Sequence, residues 1–339
     1  FLDSLYTRSI SFRNFYSAGI HTNHGLYATL YSFPAMMKRN LMKGSVIPRY
    51  SGLPTVLQEN GYCNLFFMTH ESQYDNMNAF LRTNGFDEIY AQENYPSEKV
   101  VNSFGVQDDF MYQYALPILN ERAGTGNPFF SVLLSISNHP PYVIPPYFHP
   151  HSDVLEEQIV EYADWSIRQF MQAAEKQPWF DNTIFVFLGD HGKMVGTPEC
   201  EMPQSYNHIP LMIYGKDIKP GVYDGFGGQV DVSPTLLGLL NISYLQNNFG
   251  VNLLEEERPC MFFTADNLIG ARDSVNMFIY SPDSQQEFKY KLEEGKLHAA
   301  TGTDEEAFRN LKDYCFSMLQ STESLVKEHK TLDKVSVKK

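Results

Sequence analysis

The sequence predicts an α/β fold: a mostly parallel central sheet flanked by helices, followed by a small α+β subdomain. Three observations carry this expectation. Short apolar runs of strand length alternate with stretches of helical spacing between Pro54 and Leu240. Three of those runs end in polar residues that include a histidine. Beyond about Arg258 the pattern changes to short strand-like pieces and then one long helical stretch. The expected boundaries are 1–258 for the large domain, 259–326 for the small one and 327–339 for a flexible, Lys-rich tail.

The elements follow in order. Pro54 opens a helix through Asn60, with Gly61 just past its end. Asn64–Met68 reads as a buried strand, and Asp75 as the cap of a helix that presents Met77, Phe80 and Leu81 and stops at Gly85. Phe129–Ser135 is a second buried strand. Ile159, Tyr162, Ala163, Ile167, Phe170, Met171 and Ala174 fall at helical spacing and predict an amphipathic helix. Thr183–Leu188 is the clearest strand, Pro210–Tyr214 a further one, and Ser233-Pro234 starts a helix through Leu240. In the C-terminal part, Met261–Thr264, Val275–Tyr280 and Phe288–Leu292 read as strands and Glu305–Ser321 as a helix.

Composition narrows the function. The chain has 339 residues, 43% of them hydrophobic, enough for one large core and a smaller one and too apolar for a disordered protein. With 40 acidic against 26 basic residues the net charge is −14, and no Lys/Arg cluster provides the basic face a nucleic acid requires. The longest stretch without formal charge, Ala123 to Ser152, contains six prolines from Pro128 to Pro150 and cannot form one spanning helix. Cys63, Cys200, Cys260 and Cys315 form no CxxC pair, which argues against a zinc ribbon; their spacing leaves disulfides open. The chain opens on Phe1-Leu2-Asp3-Ser4 without an initiator Met and reads as part of something longer.

Chemistry is expected beyond the C-terminal ends of the strands, where open α/β sheets bind their ligands. Those ends deliver His70, His139 and Gly189-Asp190-His191-Gly192. An adjacent carboxylate and imidazole on a tight turn suit a divalent cation of the zinc or manganese type. His139, in Ser137-Asn138-His139-Pro140-Pro141, is placed to donate to a phosphate oxygen or to protonate a leaving group. Gly19-Ile20-His21-Thr22-Asn23-His24-Gly25 reads as a polar loop entering a helix. Thr22 is either the cap of that helix or a nucleophile activated by a metal and the helix dipole.

Together these residues resemble the alkaline phosphatase/sulfatase superfamily. More narrowly they resemble the extracytoplasmic domain of lipoteichoic acid synthase and related phosphoglycerol transferases. The resemblance rests on Phe15-Tyr16-Ser17-Ala18-Gly19-Ile20-His21-Thr22, Tyr74-Asp75-Asn76-Met77 with Gly85-Phe86-Asp87, Ser137 to Tyr142, Gly189 to Gly192, and Gly228-Gln229-Val230-Asp231 with Ser233-Pro234-Thr235, in the family's order. It implies an alkaline phosphatase-like fold and a phosphotransferase in which Thr22 is the nucleophile and Thr22, Asp190 and His191 hold manganese or zinc. It implies that His139 binds the substrate near its phosphate, and that His70, Asn76 and His208 shape the head-group pocket. A phospholipid or glycan substrate and an extracytoplasmic, membrane-anchored location outside the cytoplasm follow from the same resemblance.

The sequence departs from the pattern in three respects. No Cys or Ser stands in the C/S-x-P-x-R motif of sulfatases proper. His24 stands where many relatives carry arginine. The acidic metal ligand that the family places at the end of its first strand, upstream of the threonine, has no counterpart here, so the expectation is weak metal binding by this fragment. Two other readings stay open: a hydrolase of phosphate or sulfate esters, and a catalytically silent domain that binds an anionic head group. Asn241-Ile242-Ser243 matches a glycosylation sequon, which reads as a chance match for a bacterial chain.

Overall fold

The computed structural model describes residues 1–44, 46–300 and 305–332. In chain order the helices are α1 (Leu2–Tyr6), α2 (Thr22–Tyr31), α3 (Leu53–Glu59), α4 (Met77–Thr83), α5 (Asp108–Gly124), α6 (Leu155–Ala174), α7 (Gln204–Asn207), α8 (Val232–Leu239) and α9 (Glu305–Lys327). The strands are β1 (Ile10–Tyr16), β2 (Cys63–Met68), β3 (Glu88–Tyr90), β4 (Val100–Asn102), β5 (Gly105–Val106), β6 (Phe129–Leu134), β7 (Phe185–Leu188), β8 (Leu211–Tyr214), β9 (Gly221–Gly228), β10 (Met261–Ala265), β11 (Leu268–Arg272), β12 (Asn276–Ser281), β13 (Gln286–Glu293) and β14 (Lys296–Ala299). Among the described residues, no helix is long and apolar enough to cross a membrane, and the four cysteines are free thiols.

The chain divides into two compact units. The first comprises Phe1–Ser9, Pro54–Phe185 and Tyr214–Pro220. Its sheet runs β3-β2-β6, with β2 parallel to both neighbours. Leu65 and Phe67 of β2 pack against Met111, Tyr112, Ala115 and Leu119 of α5, with Ile167 and Phe170 of α6 alongside. Asn64 caps the other end of this layout: its buried side-chain amide donates to the carbonyls of Pro54 and Gly85, 2.6 Å each.

The second unit comprises Ile10–Leu53, Val186–Ile213 and Gly221–Lys339. It holds most of a four-stranded sheet in the order β7-β8-β1-β9, in which β1 runs parallel to β9 and antiparallel to β8. It also holds a five-stranded antiparallel meander, β10 to β14. Side chains alternate across this meander, as the period of a strand requires. Met261, Phe263, Met277 and Ile279 join one core with Tyr16 and Met202. Phe262, Ile269 and Phe278 join another, closed by Phe308, Leu311, Cys315 and Met318 of α9. Those four lie three or four residues apart and form one helix stripe.

The expected parallel pairing is present, and so are the strands and helices read from periodicity, with ends moved by a few residues. Ten elements were not anticipated: α1, β1, β3, β4, β5, α5, α7, β9, β11 and β14. Alternation in β1 is interrupted because Ser11 is fully buried beside Phe12, and α5 carries Pro117 inside it. Asp75 does not cap α4. It sits in a 3-10 turn with φ 53°, and Asn76 precedes the helix. Part of the expected tail is tied down: the Ser51 N–H donates to the Thr331 carbonyl at 2.9 Å, and Thr331 is buried. Residues 333–339 of that tail lie outside the described residues.

Candidate functional site

Within the second unit, three polar loops gather at strand ends. β1 and β9 are parallel and in register at Tyr16 and Gly228, so the loop carrying Thr22 and the turn carrying Gln229 leave the same sheet edge. The Gly189–Gly192 turn follows β7. Gln229, which is buried, ties all three together. Its Oε1 accepts from the Ala18 N–H at 2.8 Å, and its Nε2 donates to the carbonyls of Gly189 at 3.0 Å and Asp190 at 2.7 Å. The short helix α7 adds two further ties: Ser17 N–H donates to the Asn207 carbonyl at 2.7 Å and Gly192 N–H to the Tyr206 carbonyl at 3.0 Å.

The first turn of α2 lies directly against the Asp190 backbone. A Cβ on Gly25 would stand 2.1 Å from the Asp190 carbonyl oxygen, so only glycine permits this approach. His21, in extended backbone, occupies the cap position of α2, and Thr22 is the first helical residue. The cap alternative for Thr22 is thereby excluded. Its half-exposed hydroxyl sits at the positive end of a ten-residue helix, where developing negative charge is stabilised.

Asp190 and His191 offer donors of the expected kind. The Asp190 carboxylate accepts from the His191 N–H at 3.0 Å through Oδ1, and its Oδ2 stands 3.6 Å from His191 Nε2. His191 Nδ1 lies 2.7 Å from the Gly192 carbonyl; donation there places the proton on Nδ1 and leaves the Nε2 lone pair facing the carboxylate. A borderline divalent cation fits these two groups in donor type. Among the described residues no group of three His, Cys, Asp or Glu side chains converges in the same way. Thr22 would be the third donor, short of the four that such ions usually take.

His208 stands apart. Its Nε2 donates to the Arg13 carbonyl at 2.8 Å and its ring stacks on Tyr16, which ties this exposed imidazole to β1. His24 is buried against Gly19, with the His21 ring edge-on at 5.0 Å. His21 Nε2 meets Asp266 Oδ1 at 2.6 Å, a link from the Thr22 loop to the β10–β11 turn.

The remaining candidates, His70, Asn76 and His139, belong to the first unit. His70 is buried, its Nδ1 3.0 Å from the Glu71 carbonyl and its ring 4.8 Å from that of Tyr74. Burial holds its pKa below the usual histidine value, against the pull of Asp75, Glu93 and Glu71, so the ring is neutral at pH 7. Asn76 has φ 64° at the start of α4. His139 is exposed, donates through Nδ1 to the Pro140 carbonyl at 2.7 Å, and packs on Phe104 with centroids 4.2 Å apart. The following Pro140–Pro141 peptide is cis.

Two features join His70 and His139 inside that unit. Gly105, with φ 90°, brings the β4–β5 hairpin so close that a Cβ would stand 1.8 Å from the Thr69 carbonyl oxygen. The same hairpin carries Phe104 to His139, and Phe104, Ile136, His139 and Val143 line an open cleft of about 260 Å3. Buried Asp108 then holds the His139 loop, accepting from the N–H groups of Ile136 at 2.9 Å and Ser137 at 3.2 Å. Neither Asp108 nor Gln229 received a role from the sequence. Gln229 lay inside a recognised motif; Asp108 had no signal, because its partners are backbone groups.

Comparison with known proteins adds the following. A family model described as Sulfatase matches residues 1–242. The chain is 24% identical over 282 residues to lipoteichoic acid synthase 1 of Bacillus subtilis, covering 73% of this chain and 42% of that protein. It is 25% identical over 251 residues to phosphoglycerol transferase I of Xanthomonas campestris pv. campestris, covering 70% and 36%. The chain thus spans less than half the length of these curated relatives. Among solved structures, a protein in the alkaline phosphatase superfamily from Vibrio parahaemolyticus aligns with TM-score 0.87 and 25% identity, over 98% of this chain and 82% of that one. The lipoteichoic acid synthase LtaP from Listeria monocytogenes aligns with TM-score 0.81 and 22% identity, over 96% and 85%.

Proposed function

The chain belongs to the sulfatase family, and on that premise we propose that it is the catalytic part of a metal-dependent phosphotransferase that moves phosphoglycerol-type groups through a threonine-linked intermediate. The observation that carries this reading is the placement of Thr22. Its hydroxyl heads α2, is not used as the cap, and belongs to a turn packed on the backbone of Asp190.

In this reading Thr22 Oγ1 attacks the phosphorus of a phosphoglycerol ester. A new P–O bond forms, the P–O bond to the lipid alcohol breaks, and that alcohol leaves with a proton. An alcohol of the acceptor then attacks the phosphothreonine and releases Thr22. Thr22, Asp190 and His191 would hold the divalent cation, manganese or zinc, which when bound lowers the hydroxyl pKa and neutralises phosphoryl charge. The N-terminal peptide dipoles of α2 act in the same direction on the oxyanion. Gln229 keeps the two loops in register, so that neither must reorganise as charge develops. His139, with Nε2 unspent, is the group this reading assigns to a phosphate oxygen or to the leaving alcohol. His70, neutral and buried, and Asn76 are assigned to the head group. A lipid-linked donor implies a reaction at a membrane surface, and the family resemblance implies that this is the extracytoplasmic face.

The test is mass spectrometry of the protein after incubation with manganese and phosphatidylglycerol vesicles. A phosphoglycerol adduct on Thr22, lost in Thr22→Ala, is expected, with release of diacylglycerol. An adduct on another residue, or release of diacylglycerol undiminished in Thr22→Ala, would sink the proposal. Adding a glycan or glycerol acceptor separates transfer from hydrolysis: transfer yields the phosphoglycerylated acceptor, hydrolysis glycerol phosphate in water.

A further inference from the structure

One turn meets both histidines of the first unit. β2 and β6 are parallel and paired as far as Met68 and Leu134, so the segments carrying His70 and His139 leave the same sheet edge. In the β4–β5 hairpin, Asn102 pairs with Gly105 across Ser103 and Phe104. Phe104 and Gly105 are consecutive, and each meets a different histidine. The Phe104 ring lies tilted against the His139 imidazole, with centroids 4.2 Å apart. Gly105, at φ 90°, rests on the backbone of Thr69 and His70. A Cβ there would stand 1.8 Å from the Thr69 carbonyl oxygen and 3.0 Å from His70 Cα. The Val106 N–H donates to the same Thr69 carbonyl at 3.2 Å, so the approach is bonded as well as close.

The hairpin and the residues after it also hold the His139 loop. Asn102 Oδ1 accepts from the Phe104 N–H at 2.8 Å and closes the tip as an Asx turn, while Asn102 Nδ2 donates to the Pro141 carbonyl at 3.3 Å. Gln107 Nε2 donates to the Val143 carbonyl at 3.2 Å, and buried Asp108 takes the N–H groups of Ile136 and Ser137. One continuous stretch, Asn102 to Asp108, therefore fixes the loop on both sides of His139 and packs on its ring. The ring's own Nδ1 is bonded to the Pro140 carbonyl, which leaves Nε2 as the nitrogen free to act. With an aromatic ring against it and one nitrogen committed, few rotamers stay open to this imidazole. Such fixing matters for rate, because a misplacement of about 1 Å can cost on the order of 100-fold.

We propose that the Phe104-Gly105 turn is a specificity-determining spacer. It sets the separation between His70 and His139, with Phe104 as the positioning residue of the His139 ring and Gly105 as the contact that seats the hairpin on His70. The proposal rests on the reading above, in which His139 meets the phosphate and His70 the head group. The turn then selects phosphodiesters by the reach from phosphate to head group, because both ends must be met at one fixed separation.

The experiment combines nuclear magnetic resonance of the whole chain, isotope-labelled at histidine, with turnover of phosphatidylglycerol and of phosphatidylinositol, whose head group is larger. The His70 and His139 Cε1–H signals are assigned by their loss in His70→Gln and His139→Gln. Phe104→Leu should shift the His139 signal and leave that of His70, and Phe104→Tyr should keep both in place. Gly105→Ala should shift both, since the added Cβ pushes the hairpin off His70 and carries Phe104 with it. In turnover, Phe104→Leu should slow both donors about 10–100-fold and Phe104→Tyr should restore them. Gly105→Ala should instead change their ratio several-fold in favour of the larger head group. A further readout needs only the wild-type fold: cross-relaxation between the Phe104 ring protons and His139, and between Gly105 Hα and His70 Hα, is expected. Missing cross-relaxation at either contact, an unmoved His139 signal in Phe104→Leu, a Gly105→Ala change confined to one histidine, or an unchanged donor ratio in Gly105→Ala would each overturn the proposal. A wild-type chain that turns over neither donor would sink the reaction proposed above, and the signals alone would then decide for or against the spacer.

Discussion

The carboxamide of Gln229 meets three backbone groups that come from positions 18, 189 and 190. Replacing it with alanine leaves one N–H and two carbonyls to find other partners, at about 1–3 kcal/mol for each buried group stranded. Gln229→Ala is expected to lower activity and manganese affinity about 10–100-fold, the usual effect of losing a group that orients metal ligands. Gln229→Glu should do at least as badly, since a carboxylate cannot donate to Gly189 and Asp190 and would face their carbonyls. Calorimetry with manganese alone and a kcat against KM comparison would check both; unchanged metal affinity in Gln229→Ala would refute the orienting role. His70 supports a pH prediction. Burial lowers its folded pKa below the unfolded value of 6.5, so the unfolded chain binds the proton more readily. Its contribution to stability is intact above about pH 6.5 and diminishes as pH falls below it. His70→Gln should flatten that part of the stability profile in urea melts at stepped pH, and an unaltered slope would count against it.

The geometry of whole elements rests on similarly few contacts. The approach of α2 to the Asp190 turn depends on the missing side chain at Gly25. Gly25→Ala should push the turn from the helix, reducing turnover and manganese affinity while far-UV circular dichroism stays native. Behind the Gln229 turn, Asp231 is buried and accepts from Gly228 and Val251 N–H at 2.9 Å each and from the Arg258 guanidinium, with Nε to Oδ2 at 2.9 Å. Burial pushes the Asp231 carboxyl up and Arg258 pulls it back, so the pair is held ionised only while both members are present. Arg258→Ala strands a buried carboxylate and should cost about 3–5 kcal/mol in chemical denaturation. A loss under ~1 kcal/mol, the level of an exposed pair, would show that water reaches Asp231.

For the molecule as a unit, the acidic balance and the local donors set the metal prediction. A chain of net charge −14 attracts cations everywhere, so specific binding must be separated from atmosphere by salt. Asp190, His191 and Thr22 amount to three donors, and manganese in 150 mM salt is expected to bind weakly, without a sharp one-to-one endpoint. Tight stoichiometric binding would mean that further ligands are recruited. The two-step chemistry proposed for Thr22 would then have its full electrostatic support within this chain.

Local apolar periodicity made β2, β6, β7, α6 and α9 legible in the sequence, because burial of one stripe or one run is a property of neighbours along the chain. The same logic placed His70, His139 and Asp190-His191 at strand ends, and motif order suggested Thr22. It missed β1, where Ser11, Arg13 and Asn14 interrupt the apolar run, and α5, where Pro117 argues against a helix that packing against β2 nevertheless sustains. It also could not distinguish a capping Thr22 from a free one, or see that His208 Nε2 bonds the Arg13 carbonyl. Those outcomes came with the fold, and the cause is physical. Backbone N–H and carbonyl groups are identical at every position, so the partners of Gln229 and Asp108 leave no trace in the residue string.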